Sequence, residues 1–289
     1  MKSLFKIILL FSFVIVYLTI YFSISPFKIK NVNEKNLPRI KISKNEKTLA
    51  IVQVSNNRNS HISNRFINNK ENYTKFHNYG YFVENPEDPS RLPTWNKLKA
   101  TLKAFQNDYK WVWQLDIDTI IMNHNIEVHV LANYAEINNY HVIFNKDCNG
   151  INAGSIFFRN SNFTINFINT LWNMYGKEIS TTDEWNEQRA MMYLMDKNKN
   201  NKEFLRNILF VPQTSINSYP NENIWCTQGN FLTKGDLIIH FAGMHRDELY
   251  TKYFDLCQQF YNKVDKFNTS MWIESINNWN KDNFNITLL

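Results

Sequence analysis

From residue 49 onward, short apolar runs alternate with stretches of helical period, and this alternation most restricts the fold. The runs at 49–54 (LAIVQV), 81–83, 111–115 (WVWQL), 141–144, 153–158 (AGSIFF), 208–211 and 237–241 are three to six residues long. Between them, residues 60–77, 94–105, 126–137, 163–174 and 184–195 read as helices, and 248–261 as a closing one. Leu98, Leu102 and Phe105 make one such helical row. Short β-rich runs separated by helices give an α/β class with a mostly parallel central sheet. Ligands of such sheets sit outside the carboxyl ends of the strands. Residues that follow an apolar run are therefore the first candidates for chemistry.

Several familiar chemistries are excluded. The chain has 7 glycines in 289 residues, and none of their spacings gives GxGxxG or the phosphate-cradling GxxxxGK. Among the 7 histidines there is no HExxH, and Ser155 is not in a GxSxG elbow. Cys148, Cys226 and Cys257 are too far apart for a zinc knuckle. One pair could bridge in an oxidising compartment, and the spacing does not say which. The net charge of +6 invites a nucleic-acid reading, but its position argues otherwise. Residues 1–47 hold nine lysines and arginines against Glu34 and Glu46, which leaves about −1 for the remainder. No nucleic-acid partner is expected of a nearly neutral folded part.

After a six-residue tail, residues 7–27 form an uncharged stretch dominated by Ile, Leu, Phe and Val. As a helix it spans roughly 31 Å, enough for a bilayer core of about 30 Å. It exceeds the usual signal-peptide core, and its small-residue site at Ser23–Ser25 is followed by Pro26. A retained transmembrane signal-anchor is expected, in contact with the lipid bilayer. Residues 28–47 are Lys/Asn-rich without periodicity and read as a basic stem, and 48–289 as the functional domain. By charge alone the denser cluster after the anchor favours a cytoplasmic C-terminal side. Asn72, Asn162, Asn268 and Asn285 stand in glycosylation sequons.

The sharpest motif is Trp111-Val-Trp-Gln-Leu-Asp116-Ile-Asp118-Thr119. In extended geometry, positions i and i+2 project to one side, so both acids can face one cation. Two carboxylates on a hard divalent ion that bridges a diphosphate suit a nucleotide-sugar leaving group. The plainer alternative is a strand-end turn with solvated acids. A second motif runs from Cys148 to Ser155, with Gly150 and Gly154 flanking Asn152. The glycines let backbone approach a ligand closely, and an asparagine amide suits sugar hydroxyls; a simple turn would look the same. His240 ends the late strand in Gly235-Asp-Leu-Ile-Ile-His-Phe-Ala-Gly243. A lone strand histidine usually belongs to the core, but beside a carboxylate pair it is a candidate third ligand that favours manganese over magnesium. Finally, Glu187 and Gln188 open an amphipathic helix, where an acid is also expected for dipole reasons alone.

In order and spacing these motifs, with Val211-Pro-Gln213 and Ile216-Asn-Ser-Tyr-Pro220 between the last two, resemble a known family. It is the galactosyl/mannosyl/xylosyltransferase family of fungal Golgi α-galactosyltransferases, α-mannosyltransferases and plant xyloglucan xylosyltransferases. The resemblance covers roughly residues 49–261. It implies a GT-A type nucleotide-sugar-binding fold in a type II, Golgi-lumenal, retaining enzyme. The implied partners are a UDP- or GDP-sugar donor and a glycan acceptor, and the implied cofactor is Mn2+, with Mg2+ as the alternative. Asp116, Asp118 and His240 match the metal-binding positions, and Glu187 and Gln188 match an acid/amide pair at the donor sugar. Asn152 and Gly154 match the sugar-facing loop, Gly243 the loop over the diphosphate, and Lys97 a basic donor-side residue. Met244 stands where the family often has Cys, and His245-Arg246 where it often has Lys. The family's lumenal orientation conflicts with the stem charges. Two other classes stay open at this point: an aspartyl-nucleophile phosphohydrolase, suggested by Asp116-Ile-Asp118-Thr119, and a catalytically silent sugar-binding membrane protein.

Overall fold

A computed structural model describes residues 47–56, 60–223, 226, 231–233, 235–261 and 268–283. The expected anchor at 7–27 and, apart from Lys47, the expected stem at 28–47 lie outside these residues. Among the described residues no helix is long and apolar enough to cross a membrane.

The strands are β1 (Leu49–Val54), β2 (Gly80–Glu84), β3 (Trp111–Leu115), β4 (Thr119–Ile121), β5 (Val142–Asp147), β6 (Gly150–Ile151), β7 (Ser155–Arg159), β8 (Ile208–Val211) and β9 (Ile238–His240). The helices that position them are α1 (His61–His77), α2 (Pro93–Gln106), α3 (His129–Ile137), α4 (Asn162–Met174), α5 (Asn186–Lys197), α6 (Lys202–Leu205), α7 (Gln213–Ile216), α8 (Asp247–Tyr261) and α9 (Thr269–Asn283). Seven strands form one sheet in the order β2-β1-β3-β7-β5-β6, with β8 also paired to β5. β1, β2, β3, β5 and β8 point the same way, as the alternation predicts; β7 and the two-residue β6 run against them.

The reversal at β7 follows from the local sequence. β5 turns at Cys148-Asn149 into β6, with Gly150 at φ +115°, a backbone conformation a side chain would strain. The chain then enters β7 between β3 and β5. The β3–β7 register pairs Leu115 with Ser155, so the next residues outward, Asp116 and Gly154, meet at the sheet's edge, where the Asp116 N–H donates to Gly154 O at 2.8 Å.

Two corrections concern the late strand and the acid pair. The run at 237–241 does not join the main sheet. β9 pairs antiparallel with β4, a strand hidden in the three residues after the acidic motif. Its register sets His240 opposite Thr119, and the Phe241 N–H donates to Asp118 O at 3.1 Å. Asp116 and Asp118 therefore sit in the turn between β3 and β4, not on an extended strand.

Both sheet faces are covered. Val52, Val112, Phe144, Ile156 and Phe158 pack against α2, α4 and α5. On the other face Ile51, Trp111, Trp113, Ile143 and Phe157 meet Tyr73 of α1, Leu131 and Ala135 of α3 and Trp272 of α9. Trp113 stacks on Phe157 with centroids 5.0 Å apart, and its Nε1–H donates to Ser155 Oγ. The β4–β9 ribbon has its own core, where Ile120, Ile239 and Phe241 pack with Phe66, Tyr250 and Phe254. The acidic turn thus lies between two packed units that fix it from both sides.

Candidate active site

Asp116, Asp118 and His240 each offer one ligand atom, and the three atoms lie within 4.8 Å of one another. His240 Nε2 is 3.6 Å from Asp116 Oδ2 and 3.6 Å from Asp118 Oδ1. Metal–oxygen bonds of about 2.1–2.6 Å put two ligands of one ion roughly 3–5 Å apart, so the group fits a single divalent cation. The other face of the ring is settled by Asn217. Its Oδ1 lies 3.0 Å from His240 Nδ1, and its Nδ2 donates to Asn145 Oδ1 at 2.9 Å. With Asn217 turned this way, the neutral ring carries its proton on Nδ1 and presents the Nε2 lone pair to the carboxylates, the arrangement a metal ligand needs. Gly154 makes room for the ring, because a Cβ there would overlap it.

Burial works against a charge on His240, but Asp118 and Asp116 outweigh it and raise its pKa above the ordinary 6.5. Burial likewise disfavours the Asp118 carboxylate, and His240 more than reverses this, so its pKa falls. In the metal-free protein the charged ring stabilises the fold below pH 6.5, and that contribution is lost as pH rises through the raised value. A divalent ion held here would need the neutral ring, so its binding would strengthen over the same interval.

Lys97 comes from the buried face of α2. Its side chain is 3% exposed, and its ammonium pairs with Asp116 Oδ1, with Glu187 Oε1 at 3.0 Å and with Ala153 O at 3.2 Å. Burial opposes the charge, yet the two carboxylates lift its pKa well above the lysine value. Glu187 projects from the first turn of α5, which starts at Asn186 with φ +52°. Its second oxygen, Oε2, is buried without a hydrogen-bond partner among the described residues, an atom left for a ligand. Gln188 Oε1 accepts from the Ala153 N–H at 2.9 Å, which leaves its Nε2 as the donor. Asn152 Oδ1 accepts from the Gly154 N–H, and its Nδ2 donates to Tyr219 Oη and Asp147 Oδ2. Gly243, at φ +70°, closes the far wall.

Asp116, Asp118, Asn152, Glu187, Gln188, His240 and Gly243 line one cavity of about 550 Å³. Lys97 and Gly154 lie behind its wall. Asn217 and Tyr219 stand in the Ile216–Pro220 motif, which gives them no role, and sequence reasoning singles out neither Lys70 nor Asp147. Lys70 of α1 is fully buried and donates to Ile117 O at 3.0 Å and to Thr119 O, the carbonyls on either side of Asp118. The available signal was a lysine in line with Phe66, Tyr73 and Thr74 on the buried face of α1. Cys148 and Cys226 form a disulfide across 78 residues, at the cavity's edge, and Cys257 is buried and free.

A solved glycosyltransferase involved in the glycosylation of the major capsid of PBCV-1 superposes with a TM-score of 0.54 at 15% identity. The match covers 72% of this chain and 99% of that one, and it concerns the fold. Residues 44–248 match the galactosyl transferase GMA12/MNN10 family, and the chain belongs to that family of glycosyltransferases. The Schizosaccharomyces pombe protein named Probable alpha-1,2-galactosyltransferase gmh2 is 28% identical, over 66% of this chain and 64% of the relative. The Alpha-1,2-galactosyltransferase of the same organism is 29% identical, over 70% of this chain and 58% of the relative. The chain thus spans about three fifths of the length of these relatives.

Burial lowers the pKa of Lys70 to about 7, against which Asp118 and Asp116 act in part. The unfolded chain then binds more protons than the folded one between pH 7 and about 10, so stability rises with pH there, by at most about 1.4 kcal/mol per pH unit. Lys70→Met should remove that rise. Denaturant melts of both proteins in chelator across pH 6–10 check it; parallel curves would show that Lys70 does not carry the slope.

Proposed function

We propose that this protein is a membrane-anchored, metal-dependent, retaining glycosyltransferase that moves a hexose from a nucleoside diphosphate sugar to a glycan acceptor. The observation that carries the reading is the convergence of Asp116, Asp118 and His240 at a cavity also lined by Glu187 and Gln188. The names of the relatives favour galactose as the sugar. Membership in a glycosyltransferase family sets the aspartyl phosphohydrolase aside.

Asp116, Asp118 and His240 would hold Mn2+ or Mg2+, and the imidazole tilts the choice toward manganese. A divalent ion there supplies positive charge to the departing diphosphate. The chain's own residues do the rest. Asn217 holds the His240 tautomer. Lys97 aims the Asp116 and Glu187 carboxylates by pairing with both. Glu187 Oε2 and the Gln188 amide face the donor sugar, and Asn152 orders the loop beneath it. The backbone at Gly243 approaches the diphosphate more closely than a residue with a Cβ could. In this reading the acceptor attacks from the face the diphosphate leaves, the bond from the anomeric carbon to the diphosphate breaks, a diphosphate oxygen takes the acceptor's proton, and the anomeric configuration is kept.

Residues 7–27 serve as the anchor in this reading, and the domain lies on the lumenal side of a Golgi-type compartment. The Cys148–Cys226 disulfide supports that side, since such bonds persist in oxidising compartments. It weighs against the stem charges, whose orienting effect was the contrary indication.

Purified full-length protein should release nucleoside diphosphate from UDP-galactose in the presence of Mn2+, within a panel of UDP- and GDP-sugars. Asp118→Ala should lower the rate at least about 100-fold while circular dichroism stays unchanged. An active Asp118→Ala enzyme contradicts the metal assignment, and a wild type inert toward every donor leaves the silent sugar-binding alternative. In sealed vesicles the domain should resist added protease until detergent is present; digestion from outside would place it in the cytoplasm.

A further inference from the structure

Asp147, at the end of β5, lies in the same cavity and was singled out by no sequence motif. Its carboxylate differs from the others in its partners. Asp116 is held by a lysine and Asp118 faces a histidine, whereas Asp147 takes neutral donors. Oδ2 accepts from Tyr219 Oη–H at 2.5 Å and from Asn152 Nδ2 at 3.0 Å, and Oδ1 accepts from the Asn149 N–H at 2.7 Å. Three donors fix the group in place. A carboxylate offers about four acceptor positions, so Oδ1 retains capacity toward the half-buried cavity side. The residue that follows, Cys148, is bonded to Cys226, which ties this wall to the opposite segment. Such a carboxylate is pre-ordered and ready to accept a hydrogen bond.

Its ligand is not an anion, and in the glycosyltransferase reading the groups on offer are sugar hydroxyls. A negative charge balanced only by dipoles repels a diphosphate, so Asp147 does not belong to the phosphate end of the cavity. It suits an O–H donor, and a hydrogen bond to a charged acceptor in a water-poor site is stronger than a neutral one. Trp185 lines the same cavity, with the Arg189 guanidinium 4.7 Å from its ring centre. The same cavity therefore holds both an indole, an apolar surface that suits the C–H face of a sugar ring, and a fixed carboxylate that can accept from a hydroxyl.

Resting on the glycosyltransferase reading above, we infer that Asp147, oriented by Tyr219 and Asn152, is a specificity-determining residue that accepts a hydrogen bond from a neutral sugar hydroxyl. That hydroxyl belongs either to the donor hexose or to the acceptor, and kinetics separate the two.

The test uses full-length protein with UDP-galactose as donor and methyl hexosides as acceptors. Asp147→Asn keeps the shape but removes the charge, and should raise one KM by about ten-fold or more while the other stays within about two-fold. A rise confined to UDP-galactose assigns the hydroxyl to the donor, and a rise confined to the hexoside assigns it to the acceptor. For the sugar so identified, one monodeoxy analogue should bind the wild type about ten-fold more weakly and lose that penalty in the variant. Tyr219→Phe frees the carboxylate without removing it and should raise the same KM by a smaller factor, so a poorly folded Asp147→Asn does not stop the test. Two unmoved KM values in an active enzyme overturn the inference and leave the glycosyltransferase reading standing. A wild type that turns over no nucleotide sugar overturns both.

Discussion

A buried ammonium group ties the site together. Lys97 is shut away from water yet stays charged because Asp116 and Glu187 flank it and Ala153 O completes its shell. Breaking such a group by removing one partner leaves an uncompensated buried charge, which typically costs about 3–5 kcal/mol. The three carriers come from different places: Lys97 from α2, Asp116 from the end of β3, Glu187 from the start of α5. Their mutual neutralisation requires those elements to meet at one point, and the β7 reversal brings the Asn152–Gly154 loop to the same point. Packing sets where the elements lie; the charge constraint sets how closely their ends converge.

A second convergence is made by hydrogen bonds to backbone and amide groups. The β4–β9 ribbon brings His240 beside Asp118, and Ser218 O accepts the His240 N–H at 2.8 Å. Asn145, Asn217 and the Nδ1 edge of His240 form a chain that starts inside the main sheet. The same strand, β5, carries Asp147 two residues beyond Asn145. One strand therefore orients the candidate ligand through its interior residue and presents the hydroxyl-binding carboxylate at its tip. The Gln53 amide adds a further prop, donating to Asp116 O while accepting from the Tyr81 hydroxyl, each at 2.8 Å.

Much of this was legible in the sequence, for identifiable reasons. Apolar runs such as LAIVQV and WVWQL are short and rich in β-branched or aromatic residues, as buried strands are, and their alternation with helical stretches yields the α/β sheet. Asp116, Asp118 and His240 were readable because each follows an apolar run, where strand ends gather ligands. β4 was not, since three residues after a turn carry no period. The pairing of β9 with β4 depends on that hidden strand, so the ribbon was equally invisible. α9, at Thr269–Asn283, has too few apolar residues among its asparagines to stand out. Lys70 and Asp147 escaped because one charged residue on a helix or a strand end normally points to solvent; only tertiary packing turns them inward. The disulfide was left open among three cysteines until the fold brought Cys148 and Cys226 together.

In the proposed function, Asp116, Asp118 and His240 act as one metal site in which the imidazole sets the preference. Two carboxylates alone form an oxygen site that magnesium fills about as readily as manganese. Isothermal titration of wild type and His240→Ala with Mn2+ and with Mg2+ at pH 7.5, and again at pH 6, tests this directly. His240→Ala should weaken Mn2+ binding by on the order of ten-fold or more, weaken Mg2+ binding less, and flatten the loss of affinity on acidification. An Mn2+ isotherm that stays where it was in His240→Ala would contradict it and return the histidine to the core of the β4–β9 ribbon.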